Sequence, residues 1–418
     1  MLTSREIDSV VEDAVFAPEQ TDKKKARDSI RDAAQRQGVF PASIQRLYEA
    51  AGRGDYSGRT VPAINIRGLT FQVARAVFRA AREHRAGAFI FEIARSEMSY
   101  TRQEPEEYAV VVLAAALKEG FVGPVFLQGD HFQVNAARFK TDGQKELSAL
   151  ETLIRESVDA GFLNIDIDAS TLVDLRHTDL TRQQEKNCQV TADLTRYIRS
   201  MEPRGTIISV GGEIGEVGGR NSTVEDLRAF MEGYLGLLDS GIRGISKISV
   251  QTGTTHGGVV LPDGTIAQAK IDFGALEELS RVARSEYGMA GAVQHGASTL
   301  PEEAFALFPK TGAAEIHLAT GFQNLIYDSS AFPEELSRRI KEHLLESYSA
   351  ERRADDTEEQ FVYKMRKRAF GDFKREIWSL PEERTSSIRD ALESRFGLLF
   401  QELNVVDTVD LVNRYVSS

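Results

Sequence analysis

The feature that most constrains this chain is a regular alternation of short apolar runs with amphipathic stretches across residues 60–320. Eight apolar runs rich in Val and Ile have the length of β-strands: 60–66, 88–94, 124–130, 163–169, 206–213, 247–253, 290–295 and 313–320. The stretches between them have helical periodicity, and several end on glycine, as helix C-termini often do. Eight strands alternating with helices predict an α/β fold of the (β/α)8 TIM-barrel type.

A doubly wound Rossmann-like sheet is the competing architecture. It requires a Gly-x-Gly-x-x-Gly turn after the first strand, and the segment INIRGLTF (64–71) has none. We therefore expect a TIM-barrel catalytic domain over residues 59–330, after an N-terminal helical segment (1–58) and before a C-terminal helical extension (331–418). The extension contains an amphipathic, basic stretch, EEQFVYKMRKRAFGDFKREIW, suited to packing on the barrel or on a second subunit.

Charge and cysteine content narrow the classes of partner. The formal net charge of -12 argues against a nucleic acid or a membrane surface, because both select concentrated Lys and Arg. The N-terminus lacks the apolar run of a signal peptide, and no window approaches the roughly 20 apolar residues of a membrane span. The single cysteine, Cys188, excludes an intramolecular disulfide and a thiolate metal cluster. We expect a cytoplasmic protein.

Histidines mark the ends of the predicted strands. Four of the seven histidines, His131, His256, His295 and His317, fall at or just beyond the ends of four different strands. The C-terminal ends of barrel strands form the active sites of TIM barrels, so closure of the barrel would bring these imidazoles together. Glu213 ends another strand and adds a carboxylate. Such ligands suit Zn²⁺, and less strongly Co²⁺ or Fe²⁺.

Seven segments follow one another across residues 60–325: VPAINI, QGDHFQ, NIDIDAS, GGEIGEVGG, TGTTHGG, QHGASTLPEEA and EIHLATGF. Together, and in this order, they resemble the class II fructose-bisphosphate aldolase family. The resemblance implies zinc as cofactor and a phosphorylated sugar as substrate. It also implies a homodimer or higher homo-oligomer.

The resemblance assigns roles by position. His131, His256 and His295 become the zinc ligands, and Glu213 and Asp168 match acidic positions near alternate metal sites. Asp130 matches the catalytic aspartate, which exchanges a proton with the hydroxyl that becomes the aldehyde oxygen. The expected substrate-binding residues are Asn65, Arg95, Gly257, Gly296, Ser298, His317 and Thr320. The implied reaction is reversible aldol cleavage of a phosphorylated, fructose-bisphosphate-like ketose, with the enediolate stabilised by zinc.

The sequence departs from the family pattern at the acid/base position. Eight residues after Glu213 the family has a glutamate that acts at the enediolate carbon, and this chain has Asn221. Glu216, Glu225 and Asp226 are the candidate replacements.

The other departures concern substrate contacts. The family's Asn-x-Asp-Thr on the last strand reads His317-Leu318-Ala319-Thr320, and its Gly-Gly-Ser-Gly loop reads Gly-Ala-Ser-Thr. The second-strand serine is replaced by Ala94, followed by Arg95, which suits either an anionic substrate group or a surface salt bridge. We therefore predict a diverged aldolase.

Three other functions fit parts of the pattern. A noncatalytic scaffold subunit of a tagatose-bisphosphate-type aldolase would explain the missing glutamate, but it has no evident need for three histidines beside Asp130. An amidohydrolase-type enzyme expects His-x-His on the first strand, where Ile64-Asn65-Ile66 stands. A Schiff-base aldolase would use Lys247, which lies at the start of its strand, away from the catalytic end.

Overall fold

The computed structural model describes residues 2–215, 219–253 and 270–416. Within these ranges nine strands form one parallel sheet: β1 Val39–Ala42, β2 Val61–Asn65, β3 Ile90–Ala94, β4 Gly123–Gln133, β5 Asn164–Asp168, β6 Ser209–Glu213, β7 Lys247–Val250, β8 Ala292–Gln294 and β9 Glu315–Leu318. Strands β2 to β9 pair in chain order, and β9 pairs back onto β2, which closes the sheet. Each of the eight predicted runs overlaps one barrel strand, so the predicted (β/α)8 barrel is confirmed.

Strand β1 lies within the segment predicted to be helical and adds to the barrel from outside the predicted set. It pairs with the first residues of β4, before β5 takes over the same edge of that strand. The buried Asn164 side chain joins the strands: its amide donates to the Ala42 carbonyl at 3.2 Å and the Leu127 carbonyl at 2.9 Å. Four residues are too few to give a periodic signal, so sequence patterning misses β1.

Helices precede, surround and follow the barrel. The N-terminal helices are α1 Ser4–Phe16, α2 Gln20–Arg36 and α3 Gln45–Gly52. Those between or directly after barrel strands are α4 Thr70–Glu83, α5 Arg95–Thr101, α6 Pro105–Lys118, α7 Ala136–Thr141, α8 Gly143–Ala160, α9 Leu180–Ser200, α10 Val224–Leu237, α11 Phe273–Tyr287, α12 Phe308–Thr311 and α13 Thr320–Tyr327. The C-terminal helices are α14 Glu334–Ser347, α15 Glu358–Met365, α16 Ala369–Asp372, α17 Lys374–Trp378, α18 Glu382–Glu402 and α19 Val409–Tyr415.

Packing explains why helix α6 is apolar on all sides. Its residues 107–117 are buried throughout, because α1 and α2 cover the face that points away from the barrel. In the described ranges, no helix combines the length and the apolar character that crossing a membrane would require.

The C-terminal helix α18 completes the helical layer by packing against α4 and α13. The Phe396 ring lies 4.8 Å from the Phe322 ring, and the Phe400 ring lies 5.5 Å from the Phe89 ring. A Cβ at Gly397 would lie 2.8 Å from His84 Nε2, so the glycine permits close approach of α18 to α4. The extension is therefore part of the barrel's outer layer.

Two glycines seat the segment around α16 above the barrel strands. Gly371 lies against the Tyr100 carbonyl of α5, and a Cβ there would overlap that oxygen. Gly68 faces the Phe370 ring so closely that a Cβ would overlap the ring. Both contacts are possible only because glycine has no Cβ, and together they determine where the extension lies next to α5.

We predict that Gly371→Ala lowers the free energy of unfolding by about 1–3 kcal/mol, because the added methyl must displace the Tyr100 backbone. Urea denaturation measures the change. Gly236→Ala in α10 is the matched control, since no atom lies within 4 Å of a Cβ there. Equal midpoints for the two variants would contradict the proposed close packing.

Candidate active site

A cavity of about 590 Å³ opens at the C-terminal ends of the barrel strands. Nine of the residues predicted to form the site line it: Asn65, Asp130, His131, Glu213, His295, Gly296, Ser298, His317 and Thr320. Asp168 lies directly behind the wall, within hydrogen-bonding distance of His131. His256 and Gly257 lie outside the described residues. The barrel therefore brings together most of the predicted site from six strand ends.

A bulge in β4 turns two consecutive side chains into the same cavity. Neighbouring residues of a regular strand point to opposite faces, so Asp130 and His131 would otherwise diverge. Gly129 pairs with Ile165 and Phe132 pairs with Ile167, which leaves one extra residue in β4. His131 takes a positive φ of 39°, a conformation that non-glycine residues seldom adopt. The bulge thus places a carboxylate beside an imidazole.

The imidazoles of His131 and His295 are in direct contact at the cavity wall. His131 Nε2 lies 3.0 Å from His295 Nδ1. The other nitrogen of each ring has its own partner: His131 Nδ1 is 3.1 Å from Asp168 and 3.0 Å from Glu213, and His295 Nε2 is 3.0 Å from Ser249 Oγ. Imidazoles that hold a metal ion usually have their second nitrogen bound in this way.

The pKa values of the two carboxylates beside His131, those of Glu213 and Asp168, are shifted in opposite directions. Burial raises the pKa of Glu213 to about 7, helped by the charge of Asp168. Burial also opposes ionisation of Asp168, but hydrogen bonds from His131, Ser170 and Gln133 outweigh it and lower its pKa. One ligand atom each from His131, Glu213 and His295 lie within 4.8 Å of one another. This set fits a zinc ion that keeps a position for substrate.

His317 holds the catalytic candidate Asp130 in place. Its Nδ1 lies 3.1 Å from Asp130 Oδ1 and 3.0 Å from Glu92 Oε2, while its Nε2 lies 2.6 Å from Glu315 Oε1. Burial lowers the pKa of His317, but the charges of Glu92 and Asp130 outweigh it and raise the pKa well above its usual value. A cationic His317 therefore binds carboxylates through both ring nitrogens and also lines the cavity.

Glu92 is a site residue that the sequence reasoning missed. It lies on β3, fully buried, and lines the cavity beside Asp130. Burial raises the pKa of Glu92 to about 8, and the charge of Asp130 adds to that rise. The signal was available: Glu92 is the one charged residue in the apolar run AFIFEIA, where an unpaired carboxylate would be costly.

Lys247 occupies the centre of the barrel. Its ammonium donates to Gln128 at 2.7 Å, Asp166 at 2.9 Å and Glu315 at 2.5 Å. Burial lowers its pKa, but Asp166 and Glu315 outweigh this effect and raise it. A Schiff-base nucleophile must be a neutral amine, so this arrangement argues against Lys247 in that role.

The substrate-binding candidate Arg95, the acid/base candidate Asp226 and Asn221, which replaces the family's glutamate, are absent from the cavity lining. Arg95 pairs with Glu146 and donates to the Gln133 carbonyl at 2.8 Å. Of the two roles expected for Arg95, anion binding and a salt bridge, the structure therefore shows the salt bridge. The Asn221 amide donates to Asp272 at 3.3 Å. Asp226 caps α10 and pairs with Arg220 at 2.6 Å. Glu225, like these three residues, is absent from the described residues that line the cavity. Glu216 lies outside the described ranges.

A second group that sequence reasoning missed forms another part of the wall. Arg67 Nε donates to Glu97 at 2.7 Å, and the other Glu97 oxygen accepts from the Asn65 amide at 2.6 Å. Lys367, from the C-terminal extension, also lines the cavity. Arg67 stands directly after the first barrel strand, which is a usable signal. Lys367 is one of many basic residues in its segment, and nothing in the sequence distinguishes it.

The fold and this site define a TIM barrel with an imidazole–carboxylate cluster at its catalytic end. The sequence model of the family described as fructose-bisphosphate aldolase class II matches residues 42–375. The chain belongs to the class II fructose-bisphosphate aldolase family, which confirms the predicted resemblance. No curated protein sequence matches the chain.

Solved structures support the same fold. A fructose-bisphosphate aldolase from Campylobacter jejuni is similar at 16% identity with a TM-score of 0.52, covering 88% of this chain and 97% of its own. A fructuronate-tagaturonate epimerase from Cohnella laeviribosi is similar at 14% identity with a TM-score of 0.62, covering 91% of this chain and 86% of its own. At such identities the likeness concerns the architecture alone.

We predict that Lys247→Met lowers the free energy of unfolding by about 3–5 kcal/mol, because it removes the ammonium that pairs with both Asp166 and Glu315 and leaves two buried carboxylates to share His317. Thermal and urea denaturation measure the loss. Lys186→Met, at an exposed position of α9, is the control and should change stability by no more than about 0.5 kcal/mol. Near-equal stabilities of the two variants would show that the pairing contributes little.

Proposed function

We propose that the protein is a metal-dependent aldolase that reversibly cleaves a phosphorylated ketose. The observation that carries this proposal is the convergence of His131, Glu213 and His295 within 4.8 Å, next to Asp130 on the cavity wall. Family membership supports a lyase-type reaction of this kind. The geometry supports two of the components that such a reaction needs, a place for a Lewis acid and a carboxylate that exchanges a proton.

His131, Glu213 and His295 would hold the metal with one ligand atom each, and His256 is a further ligand expected from the sequence. When bound there, Zn²⁺ would polarise the ketone and stabilise the negative charge of the enediolate. Asp168 and Ser249 would hold the two imidazoles in the correct orientation, since each bonds the nitrogen facing away from the pair.

Asp130 would act on the hydroxyl of the carbon that becomes the aldehyde. It accepts the hydroxyl proton while the carbonyl forms and the carbon–carbon bond breaks, and the electron pair of that bond remains on the ketone fragment. In the condensation direction it returns the proton to the new hydroxyl. The contact of His317 Nδ1 with Asp130 Oδ1, at 3.1 Å, would hold the carboxylate in the orientation that a general base requires.

The proposed reaction is tested with a panel of ketose mono- and bisphosphates, assayed with the zinc-loaded protein before and after chelation. We expect cleavage of at least one ketose phosphate, loss of activity with chelator and recovery on adding zinc. If metal-loaded protein cleaves none of the panel, the aldolase proposal fails. Absence of both bound metal and zinc activation would instead favour the scaffold subunit considered from the sequence.

We predict that His131→Ala weakens zinc binding by more than about 100-fold. Removing a metal ligand costs more affinity than removing the hydrogen-bond partner that orients the ligand, which alone costs about 10–100-fold. Metal analysis after equilibrium dialysis measures it. His177→Gln removes an imidazole that is 44% exposed and does not line the cavity, and this variant should retain the wild-type zinc content. Retention of zinc by the His131 variant would assign the metal to another site.

We predict that Asp130→Asn lowers kcat for ketose cleavage by about 10²–10⁴-fold while zinc content stays unchanged, because the amide cannot accept the hydroxyl proton. Steady-state kinetics on the best substrate of the panel measures the effect. Asp159→Asn, exposed on α8, is the control for a charge-removing substitution and should leave kcat unchanged. A fall of less than about tenfold in the Asp130 variant would assign proton transfer to another group.

A further inference from the structure

A second cavity, here called the lower cavity, lies at the opposite end of the barrel from the candidate active site. Its volume is about 310 Å³. Leu163 and residues 204–207 line it just before β5 and β6 begin, whereas the catalytic cavity lies where barrel strands end. Strand β1, the first turn of α3 and the end of α19 complete the wall. The described residues that line the lower cavity are all different from those that line the catalytic cavity.

Two arginines give the wall of the lower cavity an excess of positive charge. Arg46 lies in α3 and Arg204 lies between α9 and β6, and both residues are exposed. Neither guanidinium forms a hydrogen bond or an ion pair with any residue that the structure describes. The described part of the wall contains no Asp or Glu. A cleft lined by charges of one sign attracts ions of the other sign, so this wall favours an anion although the chain as a whole carries a net charge of -12.

The carboxylates nearest to these arginines in the sequence are paired with other cations. Glu49, three residues after Arg46 in α3, forms its ion pair with Arg243. Glu202, two residues before the second arginine of the wall, forms its ion pair with Arg199 at 2.6 Å. Local ion pairing therefore leaves the positive charge of the wall without compensation from these two carboxylates.

Ser43 adds a hydroxyl donor to the same wall. Its Oγ accepts from the Ser209 N–H at 3.1 Å and from the Gln45 N–H at 3.2 Å. These bonds use the two acceptor positions of the hydroxyl and leave its O–H to donate. Helix α3 begins at Gln45, and the N-terminus of a helix carries a partial positive charge. A hydroxyl that can only donate, next to this helix start, suits an anion.

The lower cavity also has an apolar part. Phe40, Leu163 and Tyr415 belong to its wall, from β1, the residue before β5 and the end of α19. Cavities that bind small organic molecules have volumes of about 300–1,000 Å³ and combine apolar walls with a few polar groups. A volume of about 310 Å³ lies at the lower end of this range. The cavity therefore has room for an anionic group together with a small organic group.

We propose that the lower cavity binds a small phosphate monoester, at a site separate from the catalytic cavity. A phosphate monoester carries a charge of about -1.5 to -2 at neutral pH, which balances two guanidinium groups, whereas a monocarboxylate balances one. Arg46 and Arg204 would bind the phosphate oxygens, for which the planar guanidinium has matching pairs of donors. The Ser43 hydroxyl would donate to a further oxygen, and the organic group would contact Phe40 and Tyr415.

The test is a calorimetric titration of the full chain with phenyl phosphate, inorganic phosphate and acetate. We expect Arg46→Gln and Arg204→Gln each to weaken binding of phenyl phosphate about tenfold, because each removes a charged hydrogen-bond donor. Arg155→Gln is the matched control and should leave the affinity unchanged. Arg155 is an exposed arginine of α8 that lines neither cavity and, like the other two, has no ion pair with a described residue.

The three probes decide the chemical class of the ligand. We expect phenyl phosphate to bind more tightly than inorganic phosphate, because its ring removes apolar surface of the wall from water. We expect acetate to bind at least about tenfold more weakly than inorganic phosphate, because it carries less charge. Acetate that binds as tightly as phosphate would overturn the assignment of a phosphate. Phenyl phosphate that binds no more tightly than inorganic phosphate would overturn the assignment of an ester.

Thermal denaturation separates loss of binding from loss of folding. Without ligand, Arg46→Gln, Arg204→Gln and Arg155→Gln should have the same Tm as the wild type, because all three replace exposed side chains. Phenyl phosphate should raise the Tm of the wild type and of Arg155→Gln more than that of the other two variants, since a ligand stabilises the state that binds it. Phosphate bound in the catalytic cavity would be unaffected, because neither arginine lines it. Equal affinities and equal Tm shifts in all three variants would overturn the inference.

Discussion

The pairing of charges inside the barrel is the constraint on which the site depends. Lys247, in the centre, holds Asp166 and Glu315, and Glu315 in turn accepts from His317. His317 reaches up to Asp130 at the cavity. Because buried charges are tolerated only when they are paired, removing one member would disturb the others. The barrel interior is apolar in many proteins of this architecture. Here it contains a chain of paired charges that runs from Lys247 at its centre to the candidate catalytic Asp130.

The bulge in β4 directs two reactive side chains, Asp130 and His131, into the cavity at the end of the barrel. Without the bulge in β4, strand geometry would place Asp130 and His131 on opposite sides of the sheet. The positive φ of His131 is a conformation of higher energy, and the surrounding hydrogen bonds and packing must offset it. The bulge thereby brings the proton-transfer candidate Asp130 next to the metal-binding candidates.

The extension joins the barrel and the cavity in different ways. Helix α18 takes a place in the outer layer beside α4, where it stabilises the fold. The segment around α16 instead crosses toward the strand ends, where the missing side chains of Gly68 and Gly371 admit it. The C-terminal extension thereby contributes both to the outer helical layer and, through Lys367, to the cavity wall.

Much of the fold and part of the site followed from the sequence. Period and spacing located all eight barrel strands, because hydrophobic burial imposes a pattern that each strand carries locally. The same strand ends named Asp130, His131, Glu213, His295 and His317, since parallel closure brings such ends to one face.

Only the tertiary structure decided which charges meet. It paired Arg95 with Glu146 away from the cavity, placed the buried Glu92 beside Asp130 and brought Lys367 to the wall. It also showed that His317 binds carboxylates through both ring nitrogens. Ion pairs and cavity walls form between residues far apart in the chain, and no local pattern records such distances. The sequence by itself therefore determined the barrel and the positions of its reactive strand ends, while long-range packing decided how those groups are charged, oriented and enclosed.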